Sequence, residues 1–257
     1  MIYTSYDMVQ DCRADKPEGW TYFVSNYVPL MRKLLAHYGG DGELNRILVA
    51  VSKAGSSLFQ SMEPVPERWF IAELRQKVVA ELAAPAPEIP VDLETVAAAF
   101  ETLTLAEKQV AWIETMNYDA AATGAMMRMA PKTVEKIRER ASELLRGKVD
   151  SWRRGLMVEN GRVLGQEATA AAGKDCLPVK VFLDILDGRT TWQGRETMEQ
   201  HVLRCWHCID HYSRMVEVLE LIRGVQPLTG QEAAPYLQLL GIGPARQSLW
   251  KRFVGRG

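Results

Sequence analysis

Apolar residues recur at three- and four-residue spacing along nearly the whole chain, which is the period of amphipathic α-helices. No stretch shows the strict alternation of a half-buried strand bounded by hairpin turns. The pattern therefore predicts an all-α protein. Near the N-terminus it predicts one helix from Trp20 to Tyr38, with a kink at Pro29 and a stop at Gly39. Two further helices over 44–62 and 71–82 complete a predicted bundle.

Breaks in this helical pattern divide the chain into segments. Three prolines within 84–90 remove amide donors and stiffen the backbone, which indicates a linker. A run rich in glycine and alanine over 158–174 indicates a second linker. The predicted organisation is a helical bundle (1–84), a linker (85–91), a helix-turn-helix domain (92–157), a linker (158–174), a small zinc-stabilised helical domain (175–224) and a helical C-terminal tail (225–257).

Sequence signals for helix N-termini support this organisation. Thr104 and Glu107 form a capping box, in which hydroxyl and carboxylate satisfy free amides at a helix start. Thr229 and Glu232 fit a second box in the tail. The chain then ends with a short basic amphipathic segment, 249–253, which is more typical of a docking helix than of a nucleic-acid contact.

Residues 117–147 have the pattern of two short helices around a tight turn. Pro131 suits the first turn of the second helix, since its missing amide needs no partner there. Apolar residues on one face of that helix leave a polar stripe on the other, made of Lys132, Thr133, Lys136 and Arg140. From Pro131 to Arg154 there are eight basic and four acidic residues, a local excess of positive charge. Such a helix suits the major groove of DNA, although an ordinary solvated surface helix has a similar pattern.

Cysteine and histidine are concentrated in one segment with the spacing Cys-x24-His-x3-Cys-x2-Cys. The candidate ligands are Cys176, His201, Cys205 and Cys208. Three thiolates and one imidazole are a ligand set that Zn²⁺ accepts, and four protein ligands leave no open position for water. We therefore expect a structural or regulatory zinc site, with a set of buried free cysteines as the alternative. His207 and His211 are expected to be solvent-facing or to lie behind the ligands, and Cys12 is distant in sequence.

Composition limits the remaining possibilities. The chain has 257 residues, of which 47% are hydrophobic and 25% charged, with 31 Lys and Arg against 32 Asp and Glu. The apolar fraction is enough for real hydrophobic cores. The charge balance excludes a generally basic nucleic-acid binder, so any DNA-binding face must come from local clustering of basic residues.

No apolar run is long enough for a membrane span, and no secretory leader is recognisable. We expect a cytoplasmic protein without membrane partners. Since no glycine-rich phosphate loop or catalytic constellation is found, we do not expect an enzyme.

The segment from Phe100 to Arg146 resembles region 4 of the extracytoplasmic-function group of sigma-70 factors. The resemblance depends on 103–110 (LTLAEKQV) and 129–134 (MAPKTV). It implies that Lys132, Thr133, Lys136 and Arg140 face the promoter −35 element and that RNA polymerase core is a partner. The bundle before the proline linker occupies the position in the chain that region 2 occupies in the family. Family members commonly have glycine in the turn where this chain has Arg128, and Thr123-Gly124 replaces an aliphatic-alanine pair.

The segment 176–208 also resembles the zinc-binding anti-sigma domain, whose hallmark is the His-x3-Cys-x2-Cys step with an upstream fourth ligand. Members of that family are helical and bind sigma factors, which implies another sigma factor or regulator as a further partner. In one chain with a sigma-like part, such a module would regulate in cis or extend the scaffold.

Two functions from different classes remain. The first is a sigma-like transcription factor with a fused zinc module. The second is a non-initiating regulator or anti-sigma-type adaptor, because the clamp-docking and strand-opening runs of region 2 are not recognisable around 43–62. A subsidiary hypothesis is that zinc occupancy or thiol state switches the protein.

Overall fold

The computed structural model describes residues 3–53, 56–60, 66–82 and 86–242, and these residues contain helices but no strand. The all-α prediction is confirmed. No helix within the described ranges has the length and apolar character needed to cross a membrane. The helices are α1 (Ser5–Arg13), α2 (Pro17–His37), α3 (Leu44–Val51), α4 (Glu67–Glu81), α5 (Leu93–Ala99), α6 (Leu105–Glu114), α7 (Ala120–Met127), α8 (Pro131–Arg146), α9 (Leu156–Glu159), α10 (Gly161–Ala170), α11 (Val179–Leu186), α12 (Trp192–Val202), α13 (Trp206–Leu221) and α14 (Gly230–Leu239).

The chain forms two compact units, 1–82 with 221–257 and 83–220. In the first unit, helices α1 to α4 pack around aromatic side chains. The ring centroids of Phe23 and Phe59 are 5.3 Å apart, and those of Tyr27 and Phe70 are 4.9 Å apart. Helix α2 continues through Pro29 and ends at His37, before Gly39 with its φ of +72°. The helix expected over 44–62 is shorter than its pattern, because α3 ends at Val51, and among the described residues up to 60 it is followed by a 3-10 turn at 57–59.

The described part of the predicted C-terminal tail, up to residue 242, packs within this first unit rather than standing apart. The amide of Leu228 donates to the Ser25 carbonyl at 2.8 Å, and Lys33 Nζ donates to the Arg223 carbonyl at 3.0 Å. The Arg32 guanidinium donates to the hydroxyl of Tyr236 on α14. The predicted capping box of Thr229 and Glu232 is present at the start of α14. The basic segment 249–253 lies outside the described residues.

The second unit contains helices α5 to α13 around a single hydrophobic core. That core joins Phe100 and Trp112, from the predicted helix-turn-helix domain, to Phe182, Val202 and Ile209 from the predicted zinc domain. The two predicted domains are therefore not separate bodies. The physical reason is that each contributes a small set of apolar side chains, and one shared core buries more apolar surface than two small ones.

The segment 158–174, predicted as a linker, is mostly helical. Leu164 and Ala168, one helical turn apart on α10, are both fully buried. Asn160, also fully buried, accepts from the amide of Val91 at 2.8 Å and donates to the carbonyls of Ile89 at 2.9 Å and Leu156 at 3.0 Å. Alanine favours helices as well as flexible linkers, so composition alone did not distinguish the two.

Candidate metal centre and helix-turn-helix

The four predicted metal ligands come from three separate pieces of the second unit. Cys176 lies in the loop between α10 and α11, and His201 lies in the last turn of α12. Cys205 lies in the short turn before α13, and Cys208 lies in the first turn of α13. The amide of Cys205 donates to the carbonyl of His201 at 3.1 Å, which holds these two ligands one turn apart across the end of α12.

The ligand atoms form a compact cluster, all within 4.8 Å of one another. The Sγ atoms of Cys176 and Cys205 are 3.7 Å apart, and His201 Nε2 is 3.2 Å from Cys208 Sγ. A tetrahedral zinc ion with bonds of about 2.3 Å to sulfur separates two thiolates by about 3.8 Å. The cluster therefore has a suitable size and donor set to hold a metal ion.

Backbone amides point at the sulfur atoms of this cluster. The amide of Gly173 donates to Cys176 Sγ at 3.1 Å, and the backbone of Leu177 hydrogen-bonds to Cys208. Burial raises the pKa of the Cys208 thiol to about 12, and the Leu177 hydrogen bond opposes that rise. A coordinated cation outweighs such burial, since it deprotonates a thiol ligand outright. Amide donors of this kind orient ligands and stabilise thiolates.

The other candidate residues near the site are not part of the ligand cluster. His207 Nδ1 lies 3.2 Å from the carbonyl oxygen of Ala168, and burial lowers the pKa of His211 to about 4. Cys12 lies in the first unit, where its thiol contacts Met8 Sδ at 3.7 Å. The geometry thus brings the four predicted ligand residues together, whereas His207 and His211 are half-buried rather than solvent-facing.

Buried polar contacts fasten α13 to the helix-turn-helix side of the unit. Trp112 Nε1 donates to Asp210 Oδ1 at 3.1 Å, and the Tyr118 hydroxyl donates to Glu217 Oε1 at 2.9 Å. Lys108 Nζ donates to the carbonyl of Leu203 at 3.2 Å, at the end of α12. Buried carboxylates need such partners, because an unpaired buried charge is costly. These contacts join α6 and Tyr118 to α13 and to the residue that follows α12, the part of the chain that carries three of the clustered ligand residues.

The turn between α7 and α8 is tight, and the structure explains Thr123 and Gly124 but not the arginine at position 128. Arg128 ends α7 with φ +56° and ψ +43°, the left-handed conformation that glycine adopts at lower cost. A Cβ on Gly124 would lie 2.6 Å from the Met129 carbonyl oxygen, so only glycine fits there without movement. Thr123 is fully buried, and its hydroxyl accepts a hydrogen bond from Arg138 at 2.9 Å.

Helix α8 presents the predicted polar stripe to solvent and buries the opposite face. Lys132, Thr133, Lys136 and Arg140 are exposed. Arg140 Nη1 is 2.7 Å from Glu107 Oε1, so this arginine is already part of an ion pair. The buried residues of α8 are Val134, Arg138, Ala141 and Leu145.

Several of the basic residues counted from the sequence are already engaged within the unit. Arg138 is only 9% exposed and donates to the carbonyl of Tyr118 at 2.8 Å. Arg154 pairs with Glu135, and Arg153 pairs with Glu159. Of these three arginines only Arg138 lies on α8 and is buried, whereas Arg153 and Arg154 follow α8 and remain exposed within their ion pairs.

Sequence reasoning missed the buried polar residues that join the unit, namely Tyr118, Arg138, Asp210 and Glu217. Their side chains are polar, and nothing local distinguishes them from surface residues. Their distance in sequence from their partners hid the pairing.

Comparisons with protein-family models, curated proteins and solved structures each found no match to this chain.

Proposed function

We propose that this protein is a sigma-like transcription factor that binds promoter DNA through α8 and acts with RNA polymerase core. One observation carries the proposal. Helix α8 follows a tight turn, buries its apolar face in the core and exposes Lys132, Thr133 and Lys136 in its N-terminal half. Recognition helices of this kind lie in the major groove and contact bases with residues near their N-termini.

The exposed residues suit distinct parts of DNA. Lys132 and Lys136 are one turn apart and supply the positive charge that phosphates attract, and the Thr133 hydroxyl can contact a base edge or a phosphate. Arg140 joins them only by exchanging its ion pair with Glu107 for a phosphate. The Glu107 carboxylate also completes the capping box at Thr104, so this exchange would leave the start of α6 intact.

We further propose that the cysteine and histidine cluster holds Zn²⁺ in a structural role. Three thiolates and one imidazole match the donor preference of zinc, and four protein ligands close the coordination sphere. Bound zinc would supply a covalent-like cross-link between the loop before α11, the end of α12 and the start of α13. Because α13 hydrogen-bonds to Trp112 and Tyr118, that cross-link would support the surface that presents α8.

The test is DNA binding by matched lysine variants. The purified chain with core polymerase would select fragments from a genomic library, and anisotropy would then measure affinity at several salt concentrations. Lys136→Ala is expected to weaken binding and to reduce the slope of log K against log salt by about one, as one phosphate contact is lost. Lys180→Ala, on α11, removes another exposed lysine, which lies outside the stripe and pairs with Asp184, and serves as the control. Failure to select any fragment, or equal effects of both variants, would refute the proposal.

A second candidate is a non-initiating regulator that binds another sigma factor or regulator. The observation that favours it is the engagement of Arg138, Arg140, Arg153 and Arg154 with carboxylates or carbonyls of the same unit, which leaves a mixed rather than strongly basic surface. Mixed surfaces suit proteins better than DNA. Co-purification with a sigma factor and without core polymerase subunits would favour this candidate.

A further inference from the structure

A groove of about 430 Å³ in the second unit lies between the α7–α8 turn and the helices α11 to α13. Its wall on the turn side contains Met126, Met127 and Met129, which are half-buried. Val216 and Leu219 of α13 form part of the opposite wall. Small-molecule sites have volumes of this order and mainly apolar walls, and methionine side chains adapt to ligands of varied shape.

One part of the groove is polar and has a net positive charge. Arg128, Arg195, Glu199 and Tyr212 all line the groove. Burial raises the pKa of Tyr212, while the charges of Arg195 and Arg128 oppose that rise, so both guanidinium groups act on this hydroxyl. Arg195 Nε is 2.8 Å from Glu199 Oε1, which leaves the terminal nitrogens of that guanidinium for another acceptor. Two cations against one carboxylate favour an anionic group.

A buried amide in the same wall adds a second reason to expect a ligand oxygen. Gln109 lines the groove and is only 5% exposed. Its Nε2 atom has no hydrogen-bond partner among the described residues. Buried donors are nearly always satisfied in folded proteins, and an unsatisfied one calls for a partner that enters from outside.

We propose that this groove is a binding site for a small amphipathic carboxylate, a molecule with an aliphatic or aromatic body and one acidic group. The methionine, valine and leucine side chains take the apolar body, and Arg195 and Arg128 take the carboxylate. The site is independent of the proposed DNA-binding function, because none of the four residues of the exposed stripe lines it.

The first experiment compares three probes of equal chain length against the metal-loaded full-length protein. Calorimetric titration would use octanoate, 1-octanol and octylammonium. Octanoate is expected to bind at least about tenfold more tightly than 1-octanol, because a hydrogen bond to a charged group is stronger than one to a neutral group. Octylammonium is expected to bind more weakly than both. Equal affinities for octanoate and octanol would overturn the proposal.

The second experiment compares two matched arginine variants. Arg195→Gln removes a groove arginine, whereas Arg189→Gln removes one outside it, and both side chains are 63% exposed and paired with carboxylates in the native protein. Octanoate affinity is expected to fall about five- to tenfold in Arg195→Gln alone. Met127→Glu, at a half-buried position, is expected to abolish octanoate binding by adding a like charge. Equal effects of the two arginine variants would overturn the proposal.

Methyl resonances of isotope-labelled methionines locate the ligand independently of affinity. The signals of Met126, Met127 and Met129 are expected to shift on addition of octanoate. Those of Met8 and Met31, which are buried in the first unit, are expected to stay unchanged. A ligand that shifted only Met8 or Met31 would occupy another site and would refute the assignment.

Discussion

Replacement of Cys208 by serine tests both the metal cluster and the shared core of the second unit. Cys208 is fully buried, contributes one of the four clustered ligand atoms and belongs to the same hydrophobic core as Trp112. Cys12→Ser is a matched control, since Cys12 is 5% exposed and lies in the first unit, away from the cluster. Both substitutions bury a hydroxyl in place of a thiol, and only Cys208→Ser removes a residue of the proposed metal site.

The expected losses of stability follow from two costs, the burial of a hydroxyl and the loss of bound metal. Burying a hydroxyl that lacks a good partner costs about 2 kcal/mol, and this applies to both variants. A metal present at one hundred times its dissociation constant contributes about 2.7 kcal/mol to the native state. Cys208→Ser is therefore expected to cost about 5 kcal/mol in the presence of zinc and Cys12→Ser about 2 kcal/mol. For a unit of this size, about 3 °C per kcal/mol gives a decrease in Tm of about 15 °C against about 6 °C.

The assay combines thermal unfolding with hydrogen exchange measured by mass spectrometry, each with free zinc at about one hundred times its dissociation constant and with a chelator. Chelation of the wild-type protein is expected to lower Tm by about 8 °C, through loss of the metal term alone. Exchange is expected to accelerate in α6 and α13 together, because they share one core and the Trp112–Asp210 hydrogen bond. The reasoning fails if chelation and Cys208→Ser accelerate exchange only within 175–224. Equal destabilisation by the two serine variants, with no effect of chelation, would refute the metal site itself.

Two further predictions concern single side chains in the second unit. Asn160→Ala removes three hydrogen bonds and leaves the buried amide of Val91 without its acceptor. It is therefore expected to lower the free energy of unfolding by about 3 kcal/mol, measured by urea unfolding. A loss below about 1 kcal/mol would contradict the burial of this segment. Glu107→Gln keeps a residue able to complete the capping box and removes only its charge. The hydrogen bond from the Thr104 amide holds the pKa of Glu107 below its ordinary value of 4.5, and burial opposes this. A depressed pKa stabilises the fold above about pH 4.5 and loses that contribution as the pH falls through the lower folded value. The variant is therefore expected to be less stable by about 0.5 kcal/mol at pH 7 and equal to wild type at strongly acidic pH, and a difference that persisted in acid would contradict this cause.

Local features of the sequence determined much of the fold and of the candidate metal centre. Helical periodicity depends on neighbours three and four residues apart, so it predicted the all-α class from sequence alone. The capping boxes at Thr104 and Thr229 depend on contacts within one turn, and both form as predicted. The spacing of His201, Cys205 and Cys208 fixes three ligands around one helix end, so the cluster was visible without the fold.

Tertiary structure alone decided which segments share a core and which charges are exposed. Tyr118 and Glu217 are 99 residues apart, and nothing local marks them as partners. Arg138 has the sequence character of a surface residue, yet its guanidinium is buried because the carbonyl of Tyr118 and the hydroxyl of Thr123 accept its hydrogen bonds. Composition suggested a linker at 158–174, but burial of Leu164 and Asn160 made it part of the core. Periodicity records which face of a helix is apolar, whereas the element that covers that face depends on contacts between residues distant in sequence.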